Sequence, residues 1–195
     1  MAVTTPRQLA AASAAFATVA GLAAAADHAW LADADSRALE AIRERRTQSA
    51  TTVARALSAL AEPAFVYPVL ALAGAVAARR GRRWRAVSPF LVVVGGAAVR
   101  RRLSQAIARP RPPAEAWLTE PEGFSFPSKH TALAALAAGA SIRALGFDGA
   151  PAQATSLLAA AGVGASRVYL GVHWPTDVAA GWLFAEGWLR LTHLD

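Results

Sequence analysis

Ser166-Arg167-Val168-Tyr169-Leu170-Gly171-Val172-His173-Trp174-Pro175-Thr176-Asp177 is the stretch from which the rest of the chain can be read. An imidazole stands six residues after a guanidinium and four before a carboxylate. Asp177 can fix one ring nitrogen of His173 so that the other attacks an electrophile, and Arg167 offers a planar fork for two anionic oxygens. Pro175 argues against a regular helix through the segment, so it reads as a helix end, a loop and a new helix start.

Two further blocks lie upstream. Pro127-Ser128-Lys129-His130 sets a second histidine beside a cation and a hydroxyl. Ser128 is a helix N-cap candidate, and the amides of a helix start favour an anion. His130 is the candidate general acid, and Lys129 adds charge. Arg109-Pro110-Arg111-Pro112 breaks whatever helix precedes it. A nucleophile, an acid and several cations are what phosphoryl transfer requires.

The composition supplies the setting. The chain has 195 residues, 55% hydrophobic and 17% charged, so it is not disordered. Mean hydropathy is only +0.32 because much of the apolar content is alanine. There is no cysteine, which excludes disulfides and thiolate metal sites. Net charge is +7, and Lys129 is the only lysine. Arginine-for-lysine usage with heavy alanine use points to a GC-rich bacterial genome.

Six apolar segments predict six transmembrane helices, at about 9–26, 57–78, 86–108, 128–145, 152–170 and 175–191, within one domain covering 1–195. The first also resembles a signal peptide, with Ala24-Ala25-Ala26 as a cleavage site; the later spans favour an uncleaved helix. Between spans one and two, 27–50 reads as an amphipathic helix on the membrane surface, with Trp30, Leu31, Leu39 and Ile42 at near-helical spacing. The expected fold is all-α, a six-transmembrane-helix bundle.

Five arginines within 79–85 place the loop between spans two and three in the cytoplasm. Counting onward gathers all three blocks on the extracytoplasmic face. Arg37, Arg43, Arg45 and Arg46 fall on that same outer side and count against this orientation.

On these blocks the chain resembles the type 2 phosphatidic acid phosphatase (PAP2) superfamily of membrane lipid phosphatases. The family pattern is Lys-x6-Arg-Pro, Pro-Ser-x-His and Ser-Arg-x5-His-x3-Asp. The third block matches at Ser166, Arg167, His173 and Asp177, the second at Pro127, Ser128 and His130. Lys129 stands where glycine is common. The first block departs: anchored on Arg111-Pro112 the lysine falls on Ser104, and anchored on Arg109-Pro110 it falls on Arg102.

The resemblance implies a phosphohistidine mechanism. His173 is the nucleophile, His130 the acid, and Asp177 the orienting carboxylate. Arg102, Arg109, Arg111, Ser128, Lys129, Ser166 and Arg167 are phosphate-binding candidates. It implies no metal and no cofactor. The expected partners are a lipid phosphate or pyrophosphate (prenyl or glycerolipid) and membrane lipids, not nucleic acid. A lipid-to-lipid phosphotransferase and a vanadate-binding haloperoxidase-like protein use the same pocket and remain alternatives. The expected location is the bacterial inner membrane.

Overall fold

The computed structural model describes residues 5–26 and 28–192. Among these there are α-helices and a single short 3-10 turn, and no strand: α1 (Pro6–Ala25), α2 (Ala29–Arg43), α3 (Gln48–Ala59), α4 (Pro63–Arg79), α5 (Arg83–Ile107), α6 (Lys129–Ala144), α7 (Ala150–Tyr169) and α8 (Pro175–Leu191). The all-α expectation agrees with this.

Helix α6 forms the hub and packs on α4, α5, α7 and α8. Its alanine-rich sequence lets four neighbours approach closely, the way small residues pack helices in membranes. The main core joins Val66 and Leu70 of α4 to Val93 of α5, Leu136 of α6 and Leu189 of α8. Helix α1 lies along α8, where Phe16 meets Phe184 edge-on at 5.9 Å.

Apolar side chains also face outward. Leu72 of α4 is 69% exposed and Leu158 of α7 is 72% exposed, with Leu91 and Val94 of α5 similarly bare. A water-facing surface rarely carries such residues in number. Only α1, among the described residues, is long and apolar enough to cross a membrane alone; α3 and α4 meet that test as a pair bent by 51°.

That bend corrects the sequence reading of span two. A helix from 57 to 78 was expected, but Glu62 caps a new helix that Pro63 opens, and 57–59 belong to α3. The single surface helix over 27–50 also divides. Residues 44–47 separate α2 from α3, and α2 turns Leu31, Asp35 and Leu39 inward against α7 and α8. Position 27 lies outside the described residues.

The chain reverses at two ends of the bundle. At one end, Arg80 and Arg85 donate to the carbonyls of Leu145 and Arg143. At the other lie the α3–α4 break, the end of α5, the start of α6 and the α7–α8 junction. All three sequence blocks meet there.

Candidate active site

Helix α7 ends at Tyr169, and Gly171 follows with a φ of 77°. A Cβ at Gly171 would collide with the carbonyl of Ala116, so only glycine allows this turn. The turn drops His173 just before α8, where Pro175 occupies the first helical turn and Asp177 follows. Gly181 brings α8 onto the start of α6: a Cβ there would sit 2.9 Å from the carbonyl of Ser128. Both histidines are thereby brought to one site.

His173 is 1% exposed and Asp177 is fully buried. His173 Nδ1 lies 3.3 Å from Asp177 Oδ2, and Nε2 lies 3.2 Å from Arg111 Nη1. A guanidinium can only donate, so Nε2 accepts and Nδ1 carries the proton toward Asp177. Burial pushes the His173 imidazole down to about 4, against the opposing pull of Asp177. At neutral pH the ring is an uncharged base with its lone pair on Nε2.

Asp177 is held on every side. Its Oδ2 also accepts from the Trp174 amide at 2.8 Å and from the Ser125 hydroxyl, and its Oδ1 accepts from Arg109 Nη1 at 2.6 Å. Arg109 in turn donates from Nη2 to Asp35 Oδ2 at 2.8 Å. Asp35 is 2% exposed and Arg109 6%, so Arg109 bridges two buried carboxylates.

Arg111, which touches His173, lines a cavity of about 290 Å³ whose wall also includes Ser58, Glu62, Lys129, His130 and Arg167; His173 itself does not line it. His130 Nε2 lies 2.7 Å from Glu62 Oε1, so this nitrogen carries the proton. Arg167 is 5% exposed and donates from Nη1 to Ser58 Oγ at 2.7 Å, while its buried Nε has no partner. A buried guanidinium with an unsatisfied donor beside a cavity favours an anion there. Arg111 uses all five donors: the carbonyls of Glu122, Gly123, Phe124 and Val172 take four, and His173 Nε2 the fifth. Arg111 thereby ties the segment over 122–124 to the turn before α8 and sets a cation against His173 Nε2. Ser128 caps α6, with Thr131 donating its amide to Oγ at 3.4 Å, and Lys129 sits 3.8 Å from Glu122.

Three phosphate-binding candidates from the sequence lie elsewhere. Arg109 is committed to Asp35 and Asp177 and does not line the cavity. Ser166 donates to the Val163 carbonyl at 2.6 Å and faces the α3–α7 seam, because its position on α7 points away from Arg167. Arg102 is exposed and faces outward from α5 beside Gln105. Ser104, the other position for the family lysine, is buried within the bundle. One turn earlier, Arg100 reaches the Pro127 carbonyl at 2.9 Å.

Sequence reasoning missed Glu62, Asp35, Ser125 and Arg100 as parts of this region. Two carried a signal. Asp35 follows Leu31 and precedes Leu39 by four residues, the spacing of one helix face. Glu62 is a carboxylate inside an apolar stretch, where an ionisable group needs a reason.

The comparisons with known proteins agree on one family. A sequence model described as the PAP2 superfamily matches residues 85–195. Decaprenylphosphoryl-5-phosphoribose phosphatase of Mycobacterium tuberculosis, in strains CDC 1551 / Oshkosh and H37Rv, is 35% identical over 130 residues, covering 66% of this chain and 70% of the relative. The crystal structure of a transmembrane PAP2-type phosphatidylglycerolphosphate phosphatase from Bacillus subtilis superposes with a TM-score of 0.82 at 27% identity, covering 93% of this chain and 94% of the other. The chain belongs to the PAP2 superfamily.

Proposed function

We propose that this protein is a membrane lipid phosphatase that cleaves a lipid phosphate monoester or pyrophosphate through a phosphohistidine on His173. The observation that carries the reading is the pairing of opposite tautomers. His173 offers a lone pair on Nε2, while His130 holds a proton on Nε2 at the wall of the adjoining cavity.

Arg167, with Lys129 and the start of α6 at Ser128, holds the phosphate oxygens, and Arg111 joins them by turning an Nη2 donor from the exposed carbonyls of Glu122 or Phe124 to the phosphate. Nε2 of His173 attacks phosphorus, and the bond to the leaving oxygen breaks. His130 gives that oxygen its proton and then takes one from water, which hydrolyses the phosphohistidine and releases phosphate. Asp177 stays ionised and stabilises the ring as it gains positive charge. Arg109 supports Asp177 and does not touch the substrate.

The name of the mycobacterial relative specifies a decaprenylphosphoryl-5-phosphoribose, and that of the Bacillus protein a phosphatidylglycerolphosphate. Both describe a lipid with a terminal phosphate, which supports that class here. The outward-facing apolar residues of α4, α5 and α7 support membrane embedding. In this reading the chain is one domain with six spans in a bacterial inner membrane, α3 and α4 form one bent crossing, and the site opens extracytoplasmically. The arginines at the opposite bundle end support that orientation.

Phosphate release from lipid phosphates in detergent tests the reaction. Release should persist with chelator, stop with vanadate and vanish in His173→Ala. Radiolabelled substrate should leave acid-labile label on the protein of His130→Ala. Turnover surviving in His173→Ala would overturn the assignment.

A further inference from the structure

A second cavity of about 200 Å³ lies between the start of α4, the later part of α5 and the first turns of α6. Its wall is apolar (Pro63, Ala97, Leu133 and Leu136 among others) except for Arg100, Arg101 and Lys129. No carboxylate lines it. Lys129 also belongs to the wall of the candidate active site, and Pro63 adjoins Glu62 of that site, so the two cavities are neighbours.

Lys129 is already drawn to Glu122 at 3.8 Å, and Arg100 donates to the Pro127 carbonyl at 2.9 Å. Neither contact gives Arg100 or the exposed Arg101 a counter-charge, and these two repel one another across the slot. An anion placed among them removes that cost. The apolar remainder of the wall suits the first carbons of a hydrocarbon chain. The two features together describe one occupant: an anionic group attached directly to a lipid tail. In the neighbouring cavity, a terminal phosphate of the same molecule would reach Arg111 and Arg167.

We infer that this slot is a second anion subsite, which holds a phosphodiester next to the lipid tail while the terminal phosphate reacts at His173. The inference rests on the phosphatase reading and narrows its substrate class. The preferred lipid carries two phosphates, one in a diester at the tail and one terminal monoester. A lipid whose only phosphate is the reacting one leaves Arg100 and Arg101 without a counter-charge in the slot. Arg101 is the residue that distinguishes the subsite, because it lines the slot and not the active-site cavity.

The experiment compares two substrates with identical acyl chains, phosphatidylglycerol phosphate and phosphatidic acid, in one neutral detergent. Arg101→Gln should lower kcat/KM for the first about tenfold and leave the second within twofold; Arg101→Lys should recover most of the loss. Equal losses on both lipids would mean a general attraction to anionic surfaces and overturn the proposal, as would no loss on either. A measurement independent of turnover is the binding of phosphatidylglycerol, which has the diester and no terminal phosphate. Arg101→Gln should weaken it about tenfold, and unchanged binding refutes the subsite. Failure of wild-type turnover on both lipids would instead count against the phosphatase reading, and the binding arm would still decide the subsite.

Discussion

Replacing Arg109 by methionine removes a guanidinium that lies 2.6 Å from Asp177 and 2.8 Å from Asp35, and leaves both carboxylates in the protein interior. Methionine fills much of the same volume, so the change is mainly one of charge. Removing one partner of a buried ion pair costs about 3–5 kcal/mol, since the remaining charge is left uncompensated. Two carboxylates are stranded here, which puts the expectation at the upper end of that range. For a chain of this length the melting midpoint in detergent should fall by roughly 6–20 °C. Adding Asp35→Asn should restore part of the loss, because one stranded charge is removed with its partner, and a double-mutant cycle would show that coupling. Arg111→Met provides the contrast: phosphate release should drop at least about a hundredfold, and Asp35→Asn should restore none of its loss in melting. If Arg109→Met melts like wild type yet raises KM for the lipid phosphate, Arg109 is a phosphate ligand and the bridging role assigned to it is wrong.

The acid limb of kcat/KM should lie near pH 4 and not near 6.5, because a neutral His173 is needed and burial holds its ring down to about 4; a limb near 6.5 that persists with a substrate of lower phosphate pKa would refute this. The same shift makes acid destabilising. Above about 6.5 both folded and unfolded rings are neutral; between about 6.5 and 4 the unfolded ring binds a proton that the folded one does not. Roughly 3 kcal/mol of stability from His173 should be lost across that window, and His173→Gln should make this part of the melting-versus-pH curve shallower. Asp177→Asn should lower kcat by about 10²–10⁴-fold with little change in KM, since it disturbs the tautomer without touching substrate; a change mainly in KM would contradict that role. Glu62→Gln should lower kcat about tenfold or more by freeing the His130 ring to turn, with a smaller effect on substrates whose leaving group needs no proton; a uniform effect across leaving groups would remove Glu62 from proton transfer.

The contact of His173 with Asp177 was legible because residue types and offsets are constrained within one short segment, and the turn at Gly171 and the proline start of α8 follow from local rules. The arginines were not legible in the same way. Arg109 and Arg111 are two residues apart in the same motif and equally charged, and sequence alone cannot tell which reaches the cavity. The decision lies with Asp35 on α2, 74 residues away, which takes Arg109 out of use. Ser166 was misplaced for a related reason: adjacent residues on a helix point about 100° apart, so Arg167 and Ser166 cannot both face one small cavity from α7. The second span was read through a break because alanine and leucine continue across it. Only the Glu62-Pro63 pair marks the new helix start, and that pair also carries the partner of His130.

The two histidines differ in which of their nitrogens is tied to a carboxylate, and in where that carboxylate lies. Asp177 is buried behind His173 and takes the proton of Nδ1, so the free lone pair is left on Nε2 beside Arg111. Glu62 stands on the wall of the cavity and faces Nε2 of His130, so the proton of that ring is carried on the substrate side. In the proposed reaction one imidazole therefore serves as base and the other as acid without any difference in residue type. Asp177 accepts from four donors, three on Oδ2 and one on Oδ1, which favours its ionised form. Glu62 is held here by its contact with His130 and its side chain is about half exposed, so in the proposed reaction it can release His130 when a leaving group arrives. The permanent partner is built into the core through Arg109 and Asp35, and the exchangeable one sits at the mouth of the site, which is the division that a two-step displacement through a covalent intermediate requires.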